Sequence, residues 1–206
     1  MNVPVDSSNI GGVDVSRETF EILERIVALI QEESQNQNLI SKTTVDDIWD
    51  RHIVDSVQLI KFAGTGNWLD LGTGAGFPGL VVAAFKLGEV TLVEERRLRH
   101  EFLSRAVAAL GLNNVTVVGD KIERVPMAAF QTISARAFAP LDKILTLSHR
   151  FSNKKTRWIL PKGRKADEEL ESIQRTWHGD FRLEPSVTDP TSSIIIAENV
   201  APRGRR

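Results

Sequence analysis

The N-terminal part of the chain carries apolar residues at helical spacing. Four of them recur every three or four positions between residues 20 and 30, which places them on one face of a helix. Ser16 can cap this helix, which should run to about Glu33. A second helix is predicted at about 44–62. Because no strand pattern comes before them, residues 1–62 should form an N-terminal helical extension that caps the rest of the protein.

From residue 67 the pattern changes to short apolar runs that alternate with amphipathic stretches. Strands are predicted at 67–71, 89–94, 114–119, 130–137 with its turn, and 156–163, and helices at 78–87, 96–111, 139–151 and 166–178. Five strands that alternate with four helices indicate a parallel sheet with helices on both faces. Two last strands, 181–187 and 192–200, are close enough to pair as a hairpin. The sheet domain should span 63–200, and 201–206 should form a basic tail.

The stretch LDLGTGAGFPG follows the first of these strands and opens a helix. In open α/β sheets, ligands bind at the carboxyl ends of the strands. Gly74, Gly76 and Gly79 match the spacing of a dinucleotide-binding loop, but Asp70 would repel a pyrophosphate. The same acid suits a cationic ligand without phosphates, such as S-adenosylmethionine (SAM). Glu94, at the end of the second strand, can accept hydrogen bonds from a ribose in either ligand, so it does not discriminate between them.

Composition and charge narrow the chemistry further. The chain has no cysteine, which excludes thiolate nucleophiles, and its four histidines are scattered, so no metal site is expected. Residues 1–60 carry a net charge of −7 and residues 61–206 a net charge of +6. Between 148 and 165 there are seven Lys or Arg and no acid, which indicates either a solvated face or a polyanion site. Without a signal peptide or a membrane-length apolar run, we expect a soluble, cytoplasmic protein.

If the ligand is SAM, a methyl donor, the residues that the chain lacks restrict which atom can accept the methyl group. Methylation of cytosine at carbon 5 uses a cysteine, which this chain lacks. Enzymes that methylate exocyclic amines usually contain an Asn/Asp-Pro-Pro-Tyr/Phe stretch after the fourth strand, where this chain reads SARAFAPL. A ring nitrogen such as guanine N7 already presents a lone pair, so the protein mainly has to position the reactants. These absences are consistent with N7 methylation.

Five pieces of sequence, the glycine loop among them, carry a specific resemblance. NLIS (38–41), RHIVDS (51–56), the glycine loop, ISARAFAPL (133–141) and PKG (161–163) stand in the order found in the ribosomal RNA small subunit methyltransferase G family, also called glucose-inhibited division protein B. The resemblance implies a class I SAM-dependent methyltransferase: a Rossmann-like, mostly parallel seven-stranded sheet with a C-terminal antiparallel hairpin. It also implies methylation of guanosine N7 in the 530 loop of 16S rRNA. The substrate would be the 30S subunit or a precursor, and the enzyme would be a monomer without a membrane partner.

The resemblance also implies a set of site residues. Gly72 and Phe77 would contact SAM, Ile122 and Glu123 would line the adenine pocket, and Arg136 would reach the site as the catalytic and cofactor-binding residue. With the acid and glycines of the loop, the cofactor set is Asp70, Gly72, Gly74, Gly76, Phe77, Glu94, Ile122, Glu123 and Arg136. Gln131 departs from the family, which usually has an aspartate at that position. This puts in doubt any role for an acid there.

Basic residues near the site are candidates to hold the RNA. They are Arg51, His52, Arg96, Arg97, Lys154, Lys155 and Lys162. His52 could instead be a helix histidine that bonds Asp55 or Ser56, and Arg136 could be a structural ion-pair partner. Two other functions stay open: a dinucleotide-dependent oxidoreductase, which Asp70 and the hairpin disfavour, and a non-catalytic SAM- and RNA-binding assembly factor.

Overall fold

The computed structural model describes residues 8–204, except for the side chains of Lys42 and Thr43, so the last two residues of the expected basic tail lie outside the described part. The N-terminal part is mostly helical and is followed by a seven-stranded sheet. It consists of β1 (Asn9–Ile10), β2 (Val13–Asp14), α1 (Arg17–Glu33), α2 (Lys42–Val45), a π-helical segment (Trp49–Val54), α3 (Asp55–Val57) and a 3₁₀ segment (Gln58–Phe62). Ser16 caps α1 as expected, since its side chain accepts a hydrogen bond from the backbone N–H of Thr19 (3.2 Å).

The remaining elements alternate between strand and helix until the C-terminal hairpin. The strands are β3 (Trp68–Leu71), β4 (Val90–Val93), β5 (Val115–Val118), β6 (Thr132–Ala135), β7 (Arg157–Lys162), β8 (Trp177–Pro185) and β9 (Ser193–Pro202). The helices are α4 (Gly79–Ala84), α5 (Arg97–Leu110), α6 (Leu141–Ser148) and α7 (Ala166–Ile173). Short 3₁₀ turns lie at Ile122–Arg124 and His149–Phe151.

The strands lie in the order β5-β4-β3-β6-β7-β9-β8. All pairs from β5 to β7 are parallel, and β9 runs antiparallel to both β7 and β8. The predicted parallel sheet with its terminal hairpin is therefore confirmed. The strand order reverses between β3 and β6, which makes the carboxyl ends of these two strands the switch point where such sheets bind ligands.

The helical extension shares its core with one face of the sheet. Leu23 and Ile26 of α1 have no exposed surface and belong to the same buried cluster as Val81 of α4 and Leu103 of α5. A second cluster, on the opposite face, includes Leu145 of α6 and the strands above it. The helical part ends at Phe62, next to the predicted boundary, but burial of one common apolar surface makes it continuous with the sheet domain.

Four details of the sequence-based assignment are wrong. Strand β9 runs to Pro202, so Ala201 and Pro202 belong to the sheet and not to the expected basic tail at 201–206. A short hairpin, β1–β2, comes before α1, although no strand was expected there. The helix expected at 44–62 is a series of short segments, since Thr, Val and Asp at 44–47 favour helix weakly. The helix expected at 166–178 ends at Ile173 because Trp177 instead pairs with Pro202 in the sheet, and its indole is buried.

Candidate active site

The glycine loop leaves β3 at the switch point, and two acids hold it in place. Asp70 lies beneath the loop with no exposed surface. It accepts hydrogen bonds from the N–H of Gly79 (3.0 Å) and from the hydroxyl of Ser134 (2.6 Å). Burial raises the pKa of Asp70 to about 6, against the opposing effect of these hydrogen bonds. Asp70 thus positions the loop from below and has no surface with which to touch a ligand.

Glu94 holds the loop from the side. Its carboxylate accepts hydrogen bonds from the N–H of Gly74 (3.0 Å) and from the N–H of Arg96 (2.8 Å), and the residue is 4% exposed. The neighbouring Glu95 is exposed. Of the two adjacent acids that follow β4, Glu94 is therefore the one that bonds the loop.

A cavity of about 340 Å³ opens beside the loop, and we call it the glycine-loop cavity. Its wall takes one contribution from the end of each strand at the switch point: Gly72 after β3, Glu94 after β4, Ile122 and Glu123 after β5, and Phe138 after β6. The volume lies in the range of small-molecule sites. Four of the predicted cofactor residues, Gly72, Glu94, Ile122 and Glu123, thus share one wall.

Arg136 lies in a cluster with the N-terminal helices. Its guanidinium donates to Oδ2 of Asp55 (3.1 Å), to the carbonyl of Arg51 (3.1 Å) and to Nδ1 of His52 (2.8 Å). It also lies over the ring of Phe77, 5.1 Å from the centroid, and His52 stacks on the same ring (4.8 Å between centroids). The sequence leaves open that Arg136 is a structural ion-pair partner, and the structure contains such a pair, between Arg136 and Asp55.

His52 is neutral in this cluster. Because Nδ1 accepts from Arg136, the proton must lie on Nε2, which faces Oγ1 of Thr44 (3.3 Å). Burial, followed by the charges of Arg136 and Arg51, lowers the pKa of His52 to about 4. The ring therefore serves as a hydrogen-bond acceptor for Arg136 at neutral pH.

A second cavity, of about 450 Å³, lies beside Arg136, and we call it the Arg136 cavity. Its wall includes Asp55, Arg136, Phe138, Lys162 and Glu169. Lys162 donates to Oε2 of Glu169 (2.7 Å) and to the carbonyl of Ala139 (2.9 Å), so its charge is already paired within the protein. Ser186, Ser192 and Ser193, around the β8–β9 loop, add hydroxyl groups.

The two cavities meet at the turn after β6. Ala137 and Phe138 belong to the walls of both. Ala137 has a φ of 49°, a left-handed conformation that costs an L-residue about 1–2 kcal/mol. Phe138 is not among the residues predicted from the sequence, although it stands in the SARAFAPL stretch. The available signal was a large apolar residue directly after the strand end that faces the switch point.

The other predicted residues lie in different places. Gly76 and Phe77, within the glycine loop itself, are buried. Arg96 and Arg97 are exposed at the carboxyl edge of the sheet, and Arg96 also lines the glycine-loop cavity. Arg51 is exposed beside Arg136.

Two lysines and Gln131 lie at the opposite edge of the sheet. Lys154 and Lys155 come before β7, whose six residues span roughly 17 Å before Lys162 is reached at the cavity edge. The basic run at 148–165 therefore does not form one surface, because a buried strand divides it. Gln131 comes before β6 and accepts a hydrogen bond from the N–H of Asn67 (2.9 Å), so its departure from the family pattern does not touch either cavity.

Residues 8–204 contain neither a metal-binding cluster nor a membrane-spanning helix. No group of three or more His, Asp or Glu side chains in this part of the chain is arranged to hold a metal ion. No helix described there combines the length and the apolar character needed to cross a membrane.

Comparison with known structures shows the fold. A SAM-dependent methyltransferase from Aquifex aeolicus superposes with a TM-score of 0.57 at 17% identity, over 73% of this chain and 92% of that one. A mutant of MtNAS in complex with S-adenosylmethionine superposes with a TM-score of 0.59 at 16% identity, over 88% of this chain and 76% of that one. The expected methyltransferase fold is confirmed.

Comparison with known sequences is more specific. The small subunit methyltransferase G of Rhizorhabdus wittichii is 51% identical over 93% of this chain and 90% of its own length. The corresponding protein of Zymomonas mobilis is 47% identical over 94% of this chain and 92% of its own. A family model described as rRNA small subunit methyltransferase G (GidB) matches residues 19–188. The chain therefore belongs to the rRNA small subunit methyltransferase G family.

Proposed function

We propose that this protein transfers a methyl group from SAM to N7 of a guanosine in the 530 loop of 16S rRNA. It would act as a cytoplasmic monomer on the 30S subunit or a precursor. The class of reaction rests on family membership. The choice of N7 rests on the residues that the chain lacks and on the resemblance.

The observation that carries the proposal is the junction of the two cavities at Ala137 and Phe138. A two-substrate transfer needs two adjoining pockets whose occupants can touch, and positioning of this kind supplies most of the rate when the donor is already activated. The glycine-loop cavity has the acceptor and apolar groups that suit SAM: Glu94 for the ribose hydroxyls and Ile122 for the adenine. The Arg136 cavity is left for the acceptor base.

The loop itself argues against a dinucleotide. A pyrophosphate would need free backbone N–H groups at the glycines. Here the N–H of Gly74 is bonded to Glu94 and that of Gly79 to Asp70, while those of Gly76 and Phe77 are bonded to the carbonyl of Thr73. Two acids thus occupy positions where phosphates would bind. This arrangement supports SAM, which has no phosphate, over the oxidoreductase alternative.

The chemistry asks little of the protein beyond positioning. Bound SAM supplies a methyl group on a sulfonium, and its transfer breaks the carbon–sulfur bond and leaves S-adenosylhomocysteine. The N7 lone pair forms the new bond, so no proton has to be removed and no base is required of the protein. The base becomes cationic in the process. Glu94 and Ile122 would hold the donor, and the paired walls of the Arg136 cavity would orient the acceptor and exclude water.

The test combines binding and product analysis. Calorimetric titration should give heat with SAM and S-adenosylhomocysteine and none with NAD. Incubation with SAM and 30S particles from a strain that lacks the gene should then create a site in the 530 loop that aniline cleaves after borohydride reduction. Tight NAD binding without SAM binding would refute the assignment of SAM as the cofactor. SAM binding without any such site would refute the substrate, and would favour a non-catalytic assembly factor if no methyl group reached the RNA at all.

A further inference from the structure

Phe138 combines exposure with a fixed position. It is 36% exposed, a large fraction for a phenylalanine at the centre of a site, and it lines both cavities. Three other large apolar side chains among residues 8–204 are more exposed, but they line neither cavity: Leu98, Met127 and Val187. Single exposed apolar side chains are common on protein surfaces, so what distinguishes Phe138 from these three is its place in the wall shared by both cavities.

The ring is held from below by the glycine loop. A Cβ added at Gly72 would collide with Cδ2 of Phe138, so the ring rests directly on the Cα of that glycine. Gly72 also has a φ of 60°, which favours glycine on its own account. The left-handed turn at Ala137 sends the Arg136 side chain towards the helical cap and leaves Phe138 over the loop. The ring is therefore a supported surface at the point where the two cavities join.

We propose that Phe138 is the stacking surface for the acceptor base, and that its ring face stabilises the positive charge that develops on the base as N7 is methylated. This inference rests on the proposed function. It assigns the recognition of a flat purine to an aromatic ring that borders both cavities.

The other groups in the Arg136 cavity leave this role to the ring. Arg136 is bonded to Asp55, and Lys162 to Glu169, so these charges are largely compensated inside the wall. Their remaining hydrogen-bonding capacity can read the edges of a base. The guanidinium of Arg136 is planar and could stack on a base, but it already lies over the ring of Phe77. RNA bases that leave their stack are typically held by aromatic side chains, and such stacking is tolerant of sequence.

The charge change makes the ring more effective in the transition state. The base is neutral when it binds and cationic when the methyl group has been transferred. An aromatic face attracts a cation through its quadrupole, and this attraction is absent from the neutral ground state. An interaction that strengthens along the reaction raises kcat, whereas stacking alone acts mainly on binding. Loss of the ring should therefore lower kcat as well as raise KM.

The test is a series at position 138, measured with the full chain, SAM and 30S particles. Phe138→Leu keeps apolar bulk but removes the ring, and it should lower kcat/KM by roughly 5- to 150-fold, the range found for base–aromatic stacking. Phe138→Trp keeps a ring with a stronger quadrupole and should retain activity within a few-fold of the original protein. Met127→Ala, which truncates an exposed apolar side chain outside both cavities, should change nothing.

Calorimetry with SAM separates the alternatives. Phe138→Leu should keep its SAM affinity within a few-fold, which also shows that the variant is folded. A drop in SAM affinity as large as the drop in activity would mean that the ring serves the cofactor only, and would overturn the inference. So would unchanged kcat and KM in Phe138→Leu. A loss confined to KM would refute the charge stabilisation. If the original protein itself does not methylate the particles, the proposed function fails instead.

Discussion

A single carboxylate, that of Glu94, connects the loop geometry to ligand binding. It holds two backbone N–H groups of the site and lines the glycine-loop cavity. In Glu94→Ala the loop loses the carboxylate that holds it, and the ribose of SAM loses a hydrogen-bond acceptor. The binding free energy of SAM should therefore weaken by about 1.5–3 kcal/mol, the range for hydrogen bonds to a charged group. Glu94→Gln should lose less because one oxygen remains. Calorimetric titration with SAM measures both.

Glu95→Ala is the matched control for this change. Glu95 has the same charge and borders the same cavity, but it is exposed, and within residues 8–204 no hydrogen bond to the loop involves its side chain. Its substitution should alter SAM affinity by less than a factor of about three. Equal losses in the two variants would show that only the negative charge of this region matters, and not the bonds that Glu94 makes.

Among the elements, the turn after β6 depends on the helical cap. Asp55, at the start of α3, accepts from Arg136 through Oδ2 and from Gln58 and Thr188 through Oδ1. In Asp55→Asn the amide nitrogen faces the guanidinium of Arg136, so two donors oppose each other. Both side chains of the ion pair are 18% exposed, and the free energy of unfolding should fall by about 1–3 kcal/mol. Urea unfolding measures this, and methyl transfer should fall more than SAM affinity.

A surface ion pair provides the comparison for Asp55. Glu21→Gln breaks the ion pair of Glu21 with Arg17. The two side chains are 55% and 88% exposed, so the free energy of unfolding should fall by less than about 1 kcal/mol. If the two variants were destabilised equally, the Arg136–Asp55 pair would be an ordinary surface contact. The turn would then have to be held by its own backbone.

Elements that depend on strong local signals could be predicted from the sequence. The parallel strands are short apolar runs, and Gly111 ends α5 with a φ of 66°. Elements decided by tertiary contacts could not. Trp177 lies in a stretch that continues a helical pattern, but its indole donates to Asp142 (2.9 Å) and its backbone pairs in β8. Short-range periodicity contains no information on such a partner 35 residues away.

The same division applies to the site. Gly72 and Glu94, which line the glycine-loop cavity, could be predicted because parallel strands bring their carboxyl ends to one edge. Asp70 and Gly76 were predicted to contact the cofactor on the same argument, but they are buried and line neither cavity. The cluster around Arg136 joins residues 81 positions apart, so its ion pair was only one of two options from the sequence. The position of Phe138 directly after a strand end is visible in the sequence, but its contact with Gly72 is not, because no spacing rule reveals it.

At the scale of the whole molecule, the sheet separates two sets of basic residues. Arg51 and Arg97 are exposed near the cavities, outside both cavity walls. Lys154 and Lys155 are exposed at the other edge. An RNA that places a base in the Arg136 cavity, as proposed, would lie at the same edge of the sheet as the first pair, because Arg51 contacts Arg136 and Arg97 follows β4. To reach the second pair it would have to pass around β7 and its neighbours.

Salt dependence of RNA binding tests this separation. Arg51→Ala with Arg97→Ala should lower the slope of log affinity against log salt by about 0.7 to 0.9 units for each phosphate that the variant no longer neutralises. Lys154→Ala with Lys155→Ala removes the same charge and should leave the slope unchanged. Filter binding of 16S rRNA at several salt concentrations measures the slopes, and calorimetry should show unaltered SAM affinity in both. A larger change in the lysine variant would mean that the RNA wraps around to the amino-terminal edge of the sheet, as a polyanion site along the whole basic run at 148–165 would require.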